Sequence, residues 1–495
     1  MTIKKYLISP FKVSIYVDKT NVQQYHVEPL FNIDQFNLHI YKLEQLLLKE
    51  KGFLDNEILK LDSLIDYLKN FIKRYLRDFK INFENINEIH LVEWLVYRLL
   101  NLEKIIPFLL DDFIQEIYMD KPRTHLYIDH QEFGRCKTNI VLKNSDLDAI
   151  KTRLCLEKNT IINILNPSIK AEIETKDFHI RAAIDIPPLA SDGISLNIRK
   201  LRKKIWTLPE LISQNMISIE AATYVLFILK CRNNFTIIGE PGSGKTTLAN
   251  AIDLLTPNNW RKITIEDVIE STEQSVYNKF QTRYSVAPFE SKNSVSSKSD
   301  EIIKLLHRSP TWVYLGEIQT AEHSRALFEA LSAGLVGIQT CHGRSIEMML
   351  IRWINQHNIP ISSIYALDLL IETRSDFNNW LINRKVTRIS ELSKEHITQK
   401  NLVDISDINL IDIFQFNQNT ELLEKKIDLF NTPTIKKIRN IENLTEEQFK
   451  LELNNIKVLL NDLIKQKIYD PKIIISVFDN QIKYTKQARI INLQK

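Results

Sequence analysis

Glycine is scarce in this chain, ten residues in 495, and cysteine scarcer still at four. Cys136, Cys155, Cys231 and Cys341 lie far apart with no C-x-x-C pair. That spacing excludes a disulfide framework and a zinc ribbon, and reads as reduced thiols in a cytoplasmic protein. No charge of one sign dominates: 65 basic residues face 61 acidic ones, for a net charge of +4. A balance so close to neutral points to neither a nucleic-acid nor an acidic partner. Apolar runs stay core-sized, as in Tyr224–Leu229 and Ile105–Leu110, well short of the roughly 18 residues that span a bilayer. Met1–Tyr6 lacks an apolar signal core, so export is not expected. Internal repeats and long low-complexity tracts are missing too. What remains is 44 % hydrophobic content, enough for two or three ordinary domains.

The few glycines are concentrated. Seven of the ten fall between positions 239 and 343, and three sit in one loop. Gly239, Glu240, Pro241, Gly242, Ser243, Gly244, Lys245, Thr246 and Thr247 fit the phosphate-loop pattern G-x-x-x-x-G-K-[ST]. A chain that builds its other turns from Asn, Asp and Lys has kept glycine where backbone must wrap a phosphate. The bland alternative is a glycine-rich turn before a helix. In the phosphate-loop reading, amides from Gly242 to Thr246 face the β-phosphate at the positive end of a helix. Lys245 then supplies a cation between the β- and γ-phosphates, and the Thr246 hydroxyl ligates Mg²⁺.

The hydropathy pattern sets this loop in an α/β core. A helix over 218–230 precedes the strand Phe235–Ile238, the loop, and a helix from Lys245; strands follow at Lys262–Glu266 and Trp312–Glu317. We expect five segments: an amino-terminal α+β/helical domain (1–104), a second α+β domain (105–200), a linker (201–210), an α/β domain around the phosphate loop (211–400) and a helical carboxy-terminal region (401–495). In the first, Leu61, Leu64, Ile65, Leu68, Phe71, Ile72, Tyr75 and Phe79 form one helical packing stripe. In the last, Thr445 to Gln448 reads as a capping box before the apolar face Phe449, Leu453, Ile456, Leu460 and Leu463.

Hydrolysis needs carboxylates near the γ-phosphate. Glu266, Asp267 and Glu270 follow one strand; Glu317 ends another, where phosphate-loop enzymes usually carry an aspartate. Taken singly, each acid would read as a surface residue or a helix cap. Strand ends after a phosphate loop favour catalytic roles. His342 closes a third predicted strand, and on its own would read as a helix cap.

The order of these motifs resembles the secretion ATPase superfamily that powers type II secretion, type IV pili and the archaellum. Ile263–Glu270 is similar to its aspartate box, Leu315–Ile318 to its second nucleotide motif, and Thr340–Ser345 to its histidine box. The resemblance leans to the archaeal branch through Tyr25–Pro29, Tyr127–His130, Asn166-Pro167, Ile198–Lys200, Trp206-Thr207, Asn358–Pro360 and Leu367-Asp368, and through a helical tail carrying Phe414–Phe416. It implies that 211–400 is a RecA-like P-loop ATPase core (α/β) beside an α+β amino-terminal lobe, with ATP and Mg²⁺ as ligands and Glu317 beside Thr246 at the metal. It implies catalytic roles for Glu266, Asp267, Lys245, His342 and Arg199, with Arg181 and Arg283 as further arginines. The sequence departs from the family where Gln319 replaces an arginine after Gly316-Glu317, where Leu335 replaces a histidine, and where the family's Arg-x-Arg-Pro reads His307-Arg308-Ser309-Pro310. Those changes leave the pocket intact and put the γ-phosphate-sensing cations in question.

By the same resemblance the protein is a hexamer that closes its lobes on ATP about the linker. It would dock from the cytoplasm on a polytopic membrane platform protein and assemble a pilus-like filament. Rotation of an archaellum is the neighbouring alternative. Nucleic-acid translocation would call for basic or aromatic channel loops, and only the cluster Arg199–Lys204 offers one. A subunit that binds ATP without turning it over is the third reading.

Overall fold

The computed structural model describes residues 2–49, 60–81, 86–201, 204–286, 297–378, 381–393 and 408–480. The linker residues Arg202 and Lys203, and the expected boundary near 400, lie outside them. The chain divides into two compact units, Met1–Lys204 with Asn378–Ile382, and Ile205–Phe377 with Asn383–Lys495.

The amino-terminal unit is built on nine strands: β1 (Thr2–Ile8), β2 (Phe11–Val17), β3 (Gln23–Pro29), β4 (Ile114–Met119), β5 (His125–His130), β6 (Gly134–Val141), β7 (Ser168–Glu174), β8 (His179–Asp185) and β9 (Ser195–Leu201). They form one sheet in the order β1-β2-β3-β6-β5-β4-β9-β8-β7. In β7 and β8 every second residue is buried, as expected when one face packs and the other is wet. The two segments 1–104 and 105–200 share this sheet. A short parallel pairing of Gln24 with Lys137 and Tyr25 with Thr138 joins them, and a common hydrophobic cluster runs through both. Beneath that join, the Asp111 carboxylate accepts from the hydroxyls of Tyr6 (2.6 Å) and Tyr25 (2.7 Å). The helix Leu61–Asp78 buries its stripe as expected except at Phe79, which caps the helix and is exposed.

The second unit carries β10 (Phe235–Gly239), β11 (Lys262–Glu266), β12 (Gln281–Ser285), β13 (Trp312–Ile318), β14 (Gly337–His342), β15 (Leu369–Asn378), β16 (Leu381–Leu392), β17 (Leu410–Asn417) and β18 (Leu422–Lys425). Their order is β12-β11-β13-β14-β10-β15-β16-β17-β18. Pairings from β12 across to β15 are parallel, and those of β16–β17 and β17–β18 are antiparallel. With β14 set between the phosphate-loop strand and β13, the core is RecA-like. Both sheet faces are covered, so the central strands are buried along their length. Neighbours alternate between two cores: Ile237 and Tyr314 pack into one, Ile238 and Leu315 into the other.

Leu410–Asn417, read from sequence as part of a helical tail, is a strand. Ile389 pairs with Phe414 and Arg388 with Gln415, and β18 pairs on its other side; the β-branched and aromatic residues there suit a strand. Helices follow at Pro433–Glu442 and Glu446–Lys465, the latter opened by the Thr445–Gln448 capping box and burying Phe449, Ile456, Leu460 and Leu463.

Candidate nucleotide site

The loop between β10 and the helix Lys245–Asp253 turns through two glycines with positive φ, 75° at Gly242 and 91° at Gly244. A Cβ at Gly242 would meet nothing within 4 Å, so glycine serves the turn there and leaves open space in front of the backbone amides. Ser243 faces inward, its hydroxyl 2.9 Å from that of Thr373 on β15. Thr246 is half-buried on the first helical turn. Lys245 is buried; its ammonium donates to the Glu240 carbonyl at 2.9 Å and meets His342 Nδ1 at 3.1 Å. A glycine loop running into a helix whose first residue is a lysine matches the chemistry of a polyphosphate site.

Strand register brings the distant motifs to this loop. In the β10–β14 ladder His342 stands opposite Gly239, which delivers its ring to Lys245. The β13–β14 pairing slips between Leu315 and Glu317; a bulge of this kind re-aims a side chain at a strand end. Here it turns Glu317 toward His342 Nε2, with which it forms an ion-pair contact. The other Glu317 oxygen accepts from Gln319 Nε2 at 2.6 Å, so the residue that replaces the family's arginine bonds to the acid it follows. Lys245, His342, Glu317 and Gln319 form one chain of contacts across the carboxyl ends of three parallel strands.

Glu266 lies apart from that chain and deeper. Its carboxylate accepts from the amides of Glu270 (3.2 Å) and Ser271 (3.1 Å) and from the Ser271 hydroxyl (2.5 Å). It is 2 % exposed, and burial pushes its carboxyl up to about 7 against the opposing pull of those hydrogen bonds. Its Cγ would sit 2.9 Å from a Cβ at Gly316, so β13 passes beside it at close range. Asp267 is held by Lys298 at 2.6 Å.

Arg199 and Arg181 sit in the amino-terminal unit. They are directly opposed on β9 and β8, with Glu172 opposite Arg181 and Glu116 opposite Arg199. Like charges facing across a ladder are unfavourable, and the flanking acids, Glu116 at 3.8 Å from Arg199, offset them. His179 pairs with Glu172 at 2.5 Å. Arg283 bonds Glu273 at 2.9 Å.

Several contributors escape sequence reasoning. Arg384 donates to the Gly242 carbonyl at 2.7 Å, Arg352 to the His342 carbonyl at 2.7 Å, and Thr373 closes on Ser243. None lies in a motif, and Arg384 is 142 residues from its partner. Only the sheet brings them in.

Residues 150–368 match the family described as "Type II/IV secretion system protein". Over these residues, fewer than half of its length, the chain is similar to that family. The chain is 26 % identical over 341 residues to "Uncharacterized protein MJ0781" of Methanocaldococcus jannaschii, spanning 66 % of the chain and 44 % of that protein. It is 26 % identical over 295 residues to "Type IV secretion system protein PtlH" of Bordetella pertussis, spanning 54 % and 86 %. Among solved structures, the VirB11 ATPase of the Brucella suis type IV secretion system matches at 20 % identity and a TM-score of 0.30, over 59 % of this chain and 93 % of that one. The pilus retraction motor PilT with bound ADP matches at 15 % and 0.41, over 70 % and 89 %.

Proposed function

We propose that this protein is a secretion ATPase of the type II/IV superfamily, a motor that hydrolyses ATP at the β10 loop and drives assembly of a type IV pilus-like filament. The observation that carries the reading is the run Lys245–His342–Glu317 at the carboxyl edge of the sheet. A cation, an imidazole and a carboxylate in contact beside the loop support a γ-phosphate site there. Thr246 and Glu317 are the oxygen donors for Mg²⁺, which neutralises phosphate charge when bound. Glu266 is the general base: a buried carboxyl with its pKa raised to about 7 is poised to take a proton from water near neutral pH. Arg199, with Arg181 opposite it on the ladder, follows the family resemblance as a charge-stabilising arginine.

The rest follows the resemblance: a homo-hexamer of the archaeal branch, at the inner face of the membrane through a polytopic platform protein. The similarity to the M. jannaschii protein supports that branch. Among the described residues no helix is long and apolar enough to cross a membrane. The relatives named as type IV secretion system proteins favour export by such a system as a second reading.

Steady-state turnover of the purified chain tests the first step. The wild type hydrolyses ATP, and Lys245→Ala and Glu317→Gln each lose about 10²-fold or more. Retained turnover in Lys245→Ala ends the assignment. Stimulation by phospholipid or a platform fragment supports the filament motor, whereas stimulation by DNA supports translocation of nucleic acid.

A further inference from the structure

Lys298 is a buried lysine that no motif contains. It is the first residue of the short helix Lys298–Lys304, whose cap is Ser297 and whose first turn carries Asp300 and Glu301. A helix start disfavours a cation, and burying an ammonium costs several kcal/mol unless it is paired. Both penalties apply here, since the side chain is 1 % exposed. Two contacts offset them. The ammonium donates to Asp267 Oδ2 at 2.6 Å and to the main-chain carbonyl of Glu317 at 2.6 Å. Asp267 follows β11 and Glu317 lies at the end of β13, so one side chain ties together the ends of the two strands that bear the acidic motifs. The tie reaches Glu317 at the slipped register beyond Leu315, where the ladder alone holds it least.

We propose that Lys298 is a positioning residue for ATP hydrolysis: it fixes the Glu317 backbone against Asp267 and so sets the Glu317 carboxylate at the γ-phosphate site. The inference rests on the function proposed above. Lys298 touches neither nucleotide nor reacting water; it acts through the strand ends. The chain that lacks the arginine expected at position 319 thus holds its second acidic motif from a different helix, by a cation bound to main chain.

The test is the ATPase kinetics of Lys298→Met and Lys298→Arg in the full chain, with binding of a fluorescent ATP analogue and the melting temperature measured beside them. Lys298→Met should lower kcat by about 10²-fold, as expected of a misplaced catalytic group, with KM and analogue affinity within about threefold of wild type. Lys298→Arg, which keeps the charge and the donors, should recover kcat to within about tenfold. Wild-type kcat in Lys298→Met overturns the proposal, as does a loss of kcat matched by an equal loss of analogue affinity. If Lys298→Met does not fold, Lys298→Gln keeps a donor without the charge and carries the same expectation. A wild-type chain without turnover would instead remove the hydrolytic reading itself, which separates the two failures.

Discussion

At the scale of single residues, the site is a set of side chains whose environments differ sharply. Glu266 is raised to about 7 by burial. A raised carboxyl pKa means that the folded state holds its proton more tightly than the unfolded chain. The associated stability is therefore full below the ordinary value of 4.5 and is lost as pH climbs to about 7. Glu266→Gln should then raise the melting temperature at pH 8 and change it little at pH 5, an effect of about 3 kcal/mol. The same variant should abolish turnover and remove a rise of kcat through pH 7 that the wild type shows; a flat wild-type profile would reject Glu266 as the base. Arg199 calls for a different signature. Arg199→Glu should lower kcat much more than it lowers nucleotide affinity, measured by titration with a fluorescent analogue, and unchanged turnover would remove it from the mechanism.

At the scale of elements, the phosphate-loop helix is anchored at its far end by a buried polar group. Lys262 is fully buried and donates to Asp253 Oδ2 (2.7 Å), to the Asp253 carbonyl (2.9 Å) and to Gln274 (2.7 Å). Trp312 Nε1 also donates to Asp253, at 2.8 Å, and Lys279 donates to the carbonyls of Leu254 (2.6 Å) and Thr256 (2.5 Å). These cations complete the carbonyls that the helix end leaves unpaired. Lys262→Met would leave the Asp253 carboxylate buried without its cation and should cost about 3–5 kcal/mol by urea denaturation, far more than the roughly 1 kcal/mol expected for Thr445→Ala at the carboxy-terminal cap. Equal small losses would show that the anchor adds nothing. Gly337 is the other fixed point: a Cβ there would stand 2.0 Å from the Val313 carbonyl, so only glycine lets β13 and β14 pair at the register that brings His342 to Lys245.

At the scale of the whole molecule, each unit has a core of its own, one cluster under the amino-terminal sheet and two on the faces of the RecA-like sheet. Separate cores favour separate unfolding. Calorimetry should therefore show two transitions, of which ADP raises one, by about 2.7 kcal/mol at a hundredfold excess over Kd. In Lys245→Ala that shift should vanish. A single transition moved as a whole by ADP would mean that the units unfold as one.

The local signals were complete in the sequence. The phosphate loop is a contiguous pattern of glycines and a lysine, the capping box a four-residue one, and the strand and helix periods of the core are strong because both sheet faces are buried. Residue types at fixed short spacings thus determined the phosphate-loop turn before a helix and which acids and histidine stand at strand ends. Tertiary structure alone decided the rest. It made one sheet of the two amino-terminal segments, turned Leu410–Asn417 into a strand on an existing edge, and slipped β13 so that Glu317 meets His342. It also brought Thr373 and Arg384 to the loop, Arg352 to His342, and Lys298 to the ends of β11 and β13. Those contacts depend on register between strands far apart in the chain, and register is set by packing and pairing across the sheet, which no local pattern encodes.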